Sequence, residues 1–327
     1  MKAVRIHEDG GPEVLRYEDV DDPSPGPGEI LIRLHAASLN HLDCWVRQGL
    51  PSVPKPRILG ADGAGVVAGF GPGADSFSEG DRVVINPGLD DGARIVGEHM
   101  DGTHAELVVV PAENVYPIPA DLSFEEAAAF PLVFETAYRM LVTKADLQGG
   151  EWVLLWGIGS GVASAGFVIS KALGARTIVT SSSDEKLERA RELGADAAVN
   201  HATDDVAAVV KEATDRRGAD VVVEHVGEAT WKTSLQAAGQ NARVVVCGAT
   251  SGPNPPAQLH RIWWKQLTIF GSTMGTKEDF EGAYELIANG AAKPIVDRTF
   301  PLEEAAVAHQ YLEAGRQFGK VVFEIPG

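Results

Sequence analysis

A fully apolar strand that runs directly into a glycine-rich turn constrains the fold of this 327-residue chain more than any other feature. Residues 153–156 read Val-Leu-Leu-Trp, as expected of a strand that is covered on both faces. The turn 157–161, Gly-Ile-Gly-Ser-Gly, follows, and then a predicted helix over 162–173. Strands of this kind belong to parallel sheets flanked by helices, so the segment predicts an α/β layer.

The alternation of strands and helices continues beyond this turn. A helix is predicted over 185–193 and is closed by Gly194, a residue suited to a helix C-terminus. Further apolar runs that predict strands lie at 177–180, 220–224, 243–247 and 267–270. This rhythm is typical of a doubly wound parallel sheet, the Rossmann arrangement.

The first third of the chain has short predicted strands instead of alternating strands and helices. Short β-type runs lie at 29–34, 65–68, 82–85 and 107–110, between Pro/Gly-rich stretches at 23–28 and 71–73. Short strands at this spacing predict a partly open β-barrel. A capping box, Ser123 to Glu126, opens a helix predicted from Glu125 to about Met140. The tail predicts helices over 280–289 and 302–314 and a strand over 320–324.

Composition excludes several classes of partner. With 28 Lys and Arg against 46 Asp and Glu, the formal net charge is −18, which repels nucleic-acid backbones and anionic membrane surfaces. The only cysteines, Cys44 and Cys247, are too few for a disulfide framework or a four-cysteine zinc site and are expected to be buried, inert thiols. The N-terminus is charged at once and no apolar run reaches about 20 residues, so we expect a cytoplasmic protein.

The glycine turn predicts a dinucleotide site, because a backbone without Cβ atoms lets a pyrophosphate reach the following helix N-terminus. The motif is imperfect, since Val162 stands where a strict GxGxxG pattern needs glycine, and a tight turn without a ligand is the alternative. The next strand ends in Ser181-Ser182-Ser183 without an acidic residue, and Lys186 follows one turn later. Hydroxyls and a lysine favour NADP(H) over NAD(H), because a carboxylate would repel a 2′-phosphate. The alternative is that Ser183 or Asp184 only caps the helix and Lys186 is solvated.

Motifs along the whole chain support a family resemblance. They include Gly-Pro-Glu-Val-Leu at 11–15, Asn-His-Leu-Asp at 40–43, the glycine-rich run at 59–67, Gly-Asp-Arg-Val at 80–83, Glu-Glu-Ala-Ala-Ala-Phe-Pro at 125–131 and Phe-Gly-Lys-Val-Val at 318–322. Together they resemble the medium-chain dehydrogenase/reductase superfamily, which includes zinc-type alcohol dehydrogenases and quinone oxidoreductases. The resemblance implies a GroES-like catalytic domain from 1–124 and 273–327 around a Rossmann domain at 125–272, with the active site between them.

Departures from the zinc-type pattern matter for the chemistry. The positions of the catalytic zinc ligands correspond to Asn40, Ala61 and approximately Leu132, none of which is a competent thiolate or imidazole ligand. The structural zinc lobe that follows Asn-Pro-Gly in those enzymes is reduced to residues 89–96. We therefore expect no zinc. The alternative is an unconventional metal site built from members of the set His41, Asp43, Asp62, His99 and His104.

The resemblance also implies roles for individual residues. The catalytic candidates are Asn40, whose amide would donate to the substrate oxygen, His41, and Asp62, which would act as a proton donor only if burial raised its pKa. The coenzyme-binding candidates are Gly157, Gly159, Ser160, Gly161, Val162, Ser181, Lys186, Gly248, Ser272, Thr273 and Lys320, with Ser272 and Thr273 passing the nicotinamide and Lys320 reaching a coenzyme phosphate. Thr136 and Tyr138 follow the Pro131 segment at the expected entrance to the cleft, although a core position is favoured for Tyr138. A packed core is the default expectation for Trp263 and Trp264, and an apolar interface is the alternative.

Three functions remain open at this point. A site without a Lewis acid suits conjugated electrophiles, because their negative charge is delocalised after hydride transfer, and this favours a zinc-independent NADPH:quinone or enone reductase. The alternatives are an alcohol dehydrogenase or carbonyl reductase of the same fold, and a coenzyme-binding protein without turnover. We expect a small-molecule substrate and a homodimer or homotetramer formed through the sheet edge near 267–270.

Overall fold

The computed structural model describes residues 1–326 as two units. Unit 1 comprises Met1–Leu132 and Lys293–Gly327, and unit 2 comprises Val133–Ala292. The chain passes between the two units after Leu132 and after Ala292, whereas the boundaries predicted from the sequence lie after 124 and after 272. The segment up to Leu132 stays with unit 1, where the Leu132 N–H bonds the Asp62 carboxylate. The helix 277–288 belongs to unit 2, because its Asp279 accepts hydrogen bonds from Arg139 and Thr143.

The N-terminal part of unit 1 is mainly β-structure with short helices. Its elements are β1 (Lys2–Ile6), β2 (Leu15–Asp19), β3 (Glu29–Leu39), α1 (His41–Arg47), β4 (Arg57–Ile58), β5 (Asp62–Phe70), β6 (Arg82–Ile85), β7 (Gly88–Leu89), β8 (Arg94–Ile95), β9 (Leu107–Pro111), β10 (Val115–Pro117) and α2 (Phe124–Ala128). Single 3₁₀ turns lie at Pro12–Val14 and Ala112–Asn114.

Unit 2 alternates strands and helices, as its apolar runs predict. Its elements are α3 (Pro131–Tyr138, which begins in unit 1), a π-helical segment (Arg139–Lys144), β11 (Trp152–Leu155), α4 (Gly161–Ala172), β12 (Arg176–Ser181), α5 (Asp184–Glu192), β13 (Ala197–Asn200), α6 (Val206–Ala213), β14 (Ala219–Glu224), α7 (Trp231–Ala237), β15 (Ala238–Val246), α8 (Leu259–Lys265), β16 (Thr268–Gly271) and α9 (Lys277–Ala288). Unit 1 is completed by β17 (Val296–Pro301), a 3₁₀ turn (Leu302–Glu304), α10 (Ala305–Glu313) and β18 (Lys320–Glu324).

The main sheet of unit 1 has the strand order β10-β6-β5-β3-β18-β17, with β9 also paired to β3. The C-terminal strand β18 therefore lies next to the long N-terminal strand β3, and the two are antiparallel. Ser38 on β3 is opposite Asp62 on β5 and Val322 on β18. This register brings the end of β3 and the starts of β5 and β18 to one place in the sheet.

The sheet of unit 2 is entirely parallel, with the order β13-β12-β11-β14-β15-β16. Sequence order along the sheet is thus 3-2-1-4-5-6, the doubly wound arrangement in which ligands bind at the carboxyl ends of the strands. Its apolar core includes Leu154, Ile178, Val222 and Val244 from four neighbouring strands. The predicted fold class, a partly open barrel plus a Rossmann sheet, is confirmed.

Two local predictions are wrong, and several elements were not predicted. The single helix predicted from Glu125 is two helices, because Pro131 lacks the N–H that a continuous helix needs and instead begins α3. The strand β13 and the helices α6, α7 and α8 were not predicted, and the short run Ala197–Asn200 carries little apolar signal. Trp263 and Trp264 are not in a core, because their exposed fractions are 64% and 72%.

The remaining predicted elements are found within a few residues of their expected ends. The strand expected at 320–324 is β18, and the strand expected at 82–85 is β6. Among residues 1–326, no helix combines the length and apolar character that crossing a bilayer requires.

Candidate functional site

A buried polar cluster occupies the place in unit 1 where β3, β5 and β18 meet. Lys320, the first residue of β18, donates from Nζ to Asn40 Oδ1 at 2.5 Å and to Asp62 Oδ2 at 3.1 Å. All three side chains are buried, Asp62 completely. An ammonium group that is removed from water in this way needs a charged partner, and Asp62 supplies it.

Asp62 accepts more hydrogen bonds than a surface carboxylate ordinarily does. Its Oδ2 also accepts from Ser38 Oγ at 3.0 Å and from Asn40 Nδ2 at 2.9 Å, and its Oδ1 accepts from the Leu132 backbone N–H at 2.9 Å. An ionised carboxylate can only accept, so a set of donors on both oxygens fits the ionised form. Because donors occupy both of its oxygens, we expect Asp62 to position its neighbours rather than to donate a proton.

The orientation of the Asn40 amide follows from its two charged neighbours. An ammonium group has no acceptor, so the atom that faces Lys320 must be Oδ1, and an ionised carboxylate has no donor, so the atom that faces Asp62 must be Nδ2. The distances agree with this assignment. One of the two Nδ2 hydrogens is committed to Asp62, and the amide has a second one with which to donate.

A second carboxylate, Asp43, lies beside this cluster in the first turn of α1. Its oxygens accept from the backbone N–H groups of Asn40 at 2.7 Å and Gly60 at 3.0 Å, which joins α1 to the loop before β5. Burial raises the pKa of Asp43 to about 7, against the effect of the Asn40 N–H group and the positive charge of Lys320. Gly60 is needed at this close approach, since it has φ +98° and an added Cβ would lie 2.4 Å from His104 Cδ2.

The pKa of Asp43 predicts a pH dependence of stability. Because the folded-state pKa of about 7 lies above the ordinary value of 3.8, the folded protein holds this proton more tightly than the unfolded chain does. The resulting stabilisation is full below about pH 4 and is lost as the pH rises to about 7. We expect the Asp43 contribution to the free energy of unfolding to fall by about 2–3 kcal/mol between pH 5 and pH 8. Urea titrations of wild type and Asp43→Asn at both pH values measure it, and an unchanged pH slope in the variant would refute it.

The family's metal-ligand positions hold no ligand set here. Asn40 belongs to the cluster, Ala61 is fully buried next to Asp62, and Leu132 contributes only its backbone N–H. Within the described residues, 1–326, no group of three or more His, Cys, Asp or Glu side chains is arranged to hold a metal ion. His99 Nδ1 accepts from the Ile95 N–H, and burial lowers the pKa of His104 to about 4. The expectation that the protein binds no zinc stays a prediction.

The two cysteines have the environments of inert thiols, although Cys247 is half-buried and not buried as expected, whereas Cys44 is buried. Burial raises the pKa of Cys44 strongly and that of Cys247 to about 12. Cys44 Sγ nevertheless lies 3.5 Å from His309 Nδ1, a pairing that spacing in the sequence does not reveal. The same ring nitrogen faces Arg47, and burial lowers the pKa of His309, so the pair provides no thiolate.

The coenzyme-binding candidates of unit 2 gather at the carboxyl edge of the parallel sheet. Gly157 has φ +60°, and its N–H donates to Thr180 Oγ1 at 3.1 Å, which ties the turn to the end of β12. Ser160 caps the 12-residue helix α4, so the N–H groups around Gly161 and Val162 form a helix N-terminus suited to a pyrophosphate. Gly159 lies in the same turn. This donor set fits the phosphates of a dinucleotide.

The serine residues at the end of β12 were predicted either to bind the coenzyme or only to cap the next helix. Ser181 Oγ accepts from the Ser183 N–H at 3.1 Å, and Ser183 Oγ caps α5 by accepting from the Lys186 N–H at 3.4 Å. Asp184 is held by Asn200, whose Nδ2 donates to its Oδ1 at 2.8 Å. Capping by Ser183 is thus present, and it leaves the coenzyme roles of Ser181 and Lys186 as predictions.

Other predicted residues fall in three places. Gly248 follows β15, and the Ser272 N–H donates to the Val246 carbonyl at 2.9 Å, so Gly248, Ser272 and Thr273 lie at the same carboxyl edge of the sheet. Lys320 is bonded to Asn40 and Asp62 within unit 1, and the sequence did not predict these partners. Its contact with a coenzyme phosphate stays a prediction.

His41 is the first residue of α1, and its ring centroid lies 6.4 Å from that of Trp45. Thr136 is buried and Tyr138 half-buried on α3.

A fold with a parallel dinucleotide-binding sheet and a partly open barrel defines a class of nicotinamide-dependent oxidoreductases. Comparison with known proteins supports this class. A family model described as zinc-binding dehydrogenase matches residues 161–289, and one described as alcohol dehydrogenase GroES-like domain matches residues 26–120. The chain belongs to the medium-chain dehydrogenase/reductase superfamily, and it is an NAD(P)-dependent oxidoreductase.

Individual relatives carry two kinds of name. A quinone oxidoreductase from Pseudomonas aeruginosa is 34% identical, with 98% of each chain covered. A solved structure of an NAD-dependent alcohol dehydrogenase is 44% identical, with complete coverage of both chains and a TM-score of 0.96. A mycobacterial protein solved in complex with NADPH is 31% identical over 99% of this chain and 100% of that one, with a TM-score of 0.86.

Proposed function

We propose that this protein is a zinc-independent reductase that transfers hydride from NADPH to a quinone, an enone or another conjugated carbonyl compound. The observation that carries the proposal is the buried Lys320 ammonium bonded to Asn40 and Asp62, since the resemblance matches Asn40 to a zinc-ligand position. The ammonium polarises the Asn40 amide by donating to its oxygen, although Asp62 balances its charge and it does not coordinate the substrate.

The residues of unit 1 have distinct parts in this reaction. Reduced nicotinamide supplies a hydride, which leaves negative charge on the substrate oxygen. Asn40 donates to that oxygen from the second hydrogen of Nδ2. Lys320 and Asp62 act as positioning residues, because they fix the amide with its Nδ2 as the donor, and the ammonium adds a favourable field. A donor that is oriented in advance stabilises developing charge without reorganisation.

The chemistry of the Asn40 donor supports conjugated carbonyl compounds as the substrate class. One amide donor stabilises a localised alkoxide less well than a metal ion does. The enolate or phenolate formed from a conjugated acceptor has a delocalised charge and requires less stabilisation by the protein. The name of the Pseudomonas aeruginosa relative agrees with this class, whereas the name of the 44% identical structure favours the alcohol dehydrogenase alternative.

The coenzyme proposal rests on the end of β12. Ser181, Ser182 and Ser183 place hydroxyls where an NAD-selective site has a carboxylate, and Lys186 supplies a positive charge in the first turn of α5. The mycobacterial relative solved with NADPH is consistent with this choice.

One experiment separates the candidate functions. Oxidation of NADPH and NADH is followed with a panel of quinones, enones, simple aldehydes and simple alcohols, and zinc is measured on the same sample. We expect turnover of the conjugated acceptors with NADPH and less than one zinc per chain. Oxidation of simple alcohols together with stoichiometric zinc would establish the alcohol dehydrogenase alternative, and no consumption with any acceptor would favour the coenzyme-binding protein.

We further propose that two copies associate through the edge of the parallel sheet. Strand β16 is an edge strand, and an apolar surface lies beside it, with Trp263, Trp264, Leu259 and Ile269 exposed. Unpaired strand edges and contiguous apolar side chains favour association. The variant Trp263→Ala/Trp264→Ala is expected to shift the molecular mass in light scattering from dimer or tetramer toward monomer. Leu193→Ala, which truncates another exposed apolar side chain of unit 2, is the control, and a monomeric wild type would contradict the proposal.

A further inference from the structure

A histidine at the carboxyl edge of the parallel sheet has no part in the proposed function so far. His201 directly follows β13, and its backbone N–H donates to the Ser181 carbonyl at 3.0 Å. Ser181 and Asn200 are partners in the β12–β13 register. His201 therefore lies beside the end of β12, which is where the adenosine ribose of a dinucleotide binds in folds of this kind.

A contact with Thr180 holds the His201 ring at the end of β12. Thr180 Oγ1 accepts from the Gly157 N–H, and it lies 3.2 Å from His201 Nδ1. A hydroxyl oxygen has one proton and two acceptor sites, so Thr180 can pair with the neutral ring or accept from Nδ1–H of the protonated ring. The residue is accessible to solvent although its ring is partly desolvated, so the protonated ring offers both a charge and a donor at Nε2.

The charged groups around His201 come from two elements. The first turn of α5 contributes Asp184, Glu185 and Lys186, and the loop after β13 contributes Asp204. Asp184 accepts from the Asn200 side chain, and Asp204 accepts from the Asn200 backbone N–H at 3.3 Å. From the glycine turn side, the neighbour is the uncharged Trp156 ring, with its centroid 6.1 Å from that of His201.

We propose that protonated His201 is a second cationic contact, with Lys186, for the 2′-phosphate of NADPH, so that the preference for NADPH over NADH increases as the pH falls. The inference rests on the coenzyme part of the proposed function. It assigns His201 as a specificity-determining residue and makes coenzyme choice depend on pH.

The direction of the effect follows from the charges. Partial burial lowers the pKa of His201 in the free protein, so the ring is neutral at pH 7.5. A phosphate dianion next to the ring favours the imidazolium form, so binding of NADPH takes up a proton. NADH has no phosphate at this place, and its binding is expected to be insensitive to the charge of His201.

The test measures dissociation constants of NADPH and NADH at about pH 6.5 and about pH 8.5 for wild type and His201→Asn. For each protein, the NADPH dissociation constant at about pH 8.5 is divided by that at about pH 6.5. We expect this ratio to be about 3- to 10-fold larger for wild type than for the variant, whereas the dissociation constants of NADH should change less than about twofold. The phosphate itself titrates near pH 6, and this contribution is common to both proteins and cancels in their ratio. Calorimetry in two buffers of different ionisation enthalpy measures the proton uptake directly.

Control variants separate the possible outcomes. His260→Asn changes another exposed histidine of unit 2, on α8, and is expected to leave the pH dependence unchanged. If His201→Asn keeps the wild-type pH dependence, the assignment of His201 is wrong while the NADPH preference stands. If wild type does not prefer NADPH at either pH, both the assignment and the coenzyme part of the proposed function are wrong.

Discussion

Replacement of Asn40 by alanine is expected to lower kcat by about 10²- to 10³-fold, the loss that follows removal of one preoriented donor to an oxyanion. The effect should appear in kcat and in kcat/KM alike, because the hydrogen bond strengthens as charge develops on the substrate oxygen. Steady-state rates with a quinone and NADPH measure it, and the dissociation constant for NADPH should stay within about twofold.

Ser38→Ala is the matched control for this prediction. Ser38 Oγ donates to the same Asp62 oxygen as Asn40 Nδ2 does, but it has no role at the substrate. The control should lose some stability and keep kcat within about threefold. Asn40→Ala also removes the buried hydrogen bonds to Lys320 and Asp62, so the variant should lose about 1–3 kcal/mol of stability, which urea titration accounts for separately. An Asn40→Ala protein that keeps wild-type kcat would refute the donor role.

Replacement of Lys320 by methionine is expected to destabilise unit 1 by about 3–5 kcal/mol, because it leaves the Asp62 charge buried without its partner. The double variant Lys320→Met/Asp62→Asn should recover much of this loss, since it removes the uncompensated charge as well. Urea titrations of both proteins, followed by a probe in unit 1, measure the difference.

The comparison of the two variants tests the ion pair and not only the packing of the lysine chain. If the single variant is as stable as wild type, the pair contributes nothing. If the double variant is no more stable than the single one, the loss comes from the truncated alkyl chain. The double variant should remain slow in turnover even when its stability is recovered, because nothing then fixes the Asn40 amide.

Much of the fold could be predicted because its signals are local. The apolar run of β11, the glycine turn and the cap at Ser160 each lie within a few consecutive residues. Where prediction failed, a non-local contact or a weak signal was responsible. The exposure of Trp263 and Trp264 depends on their position beside an edge strand, and tryptophan composition alone favours a core.

The candidate site was only partly predictable for the same reason. Motif matching selects Asn40 and Asp62, which are 22 residues apart, but nothing in their spacing shows that Lys320 bonds to both. That contact depends on the pairing of β18 with β3, between residues almost 300 positions apart in sequence. The role proposed for His201 has no signal in the sequence either, because a single histidine after an Ala-rich strand carries no motif.

The place of β18 in the main sheet of unit 1 has a consequence for biosynthesis. The strand lies between β3 and β17, and it carries the ammonium group that the Asn40 and Asp62 side chains bond. A nascent chain therefore holds Asp62 without its cation until residues 320–324 leave the ribosome, although all strands of unit 2 precede them. The barrel of unit 1 is thus the part of this protein that closes only after unit 2 has been synthesised, when strand β18 is inserted beside β3.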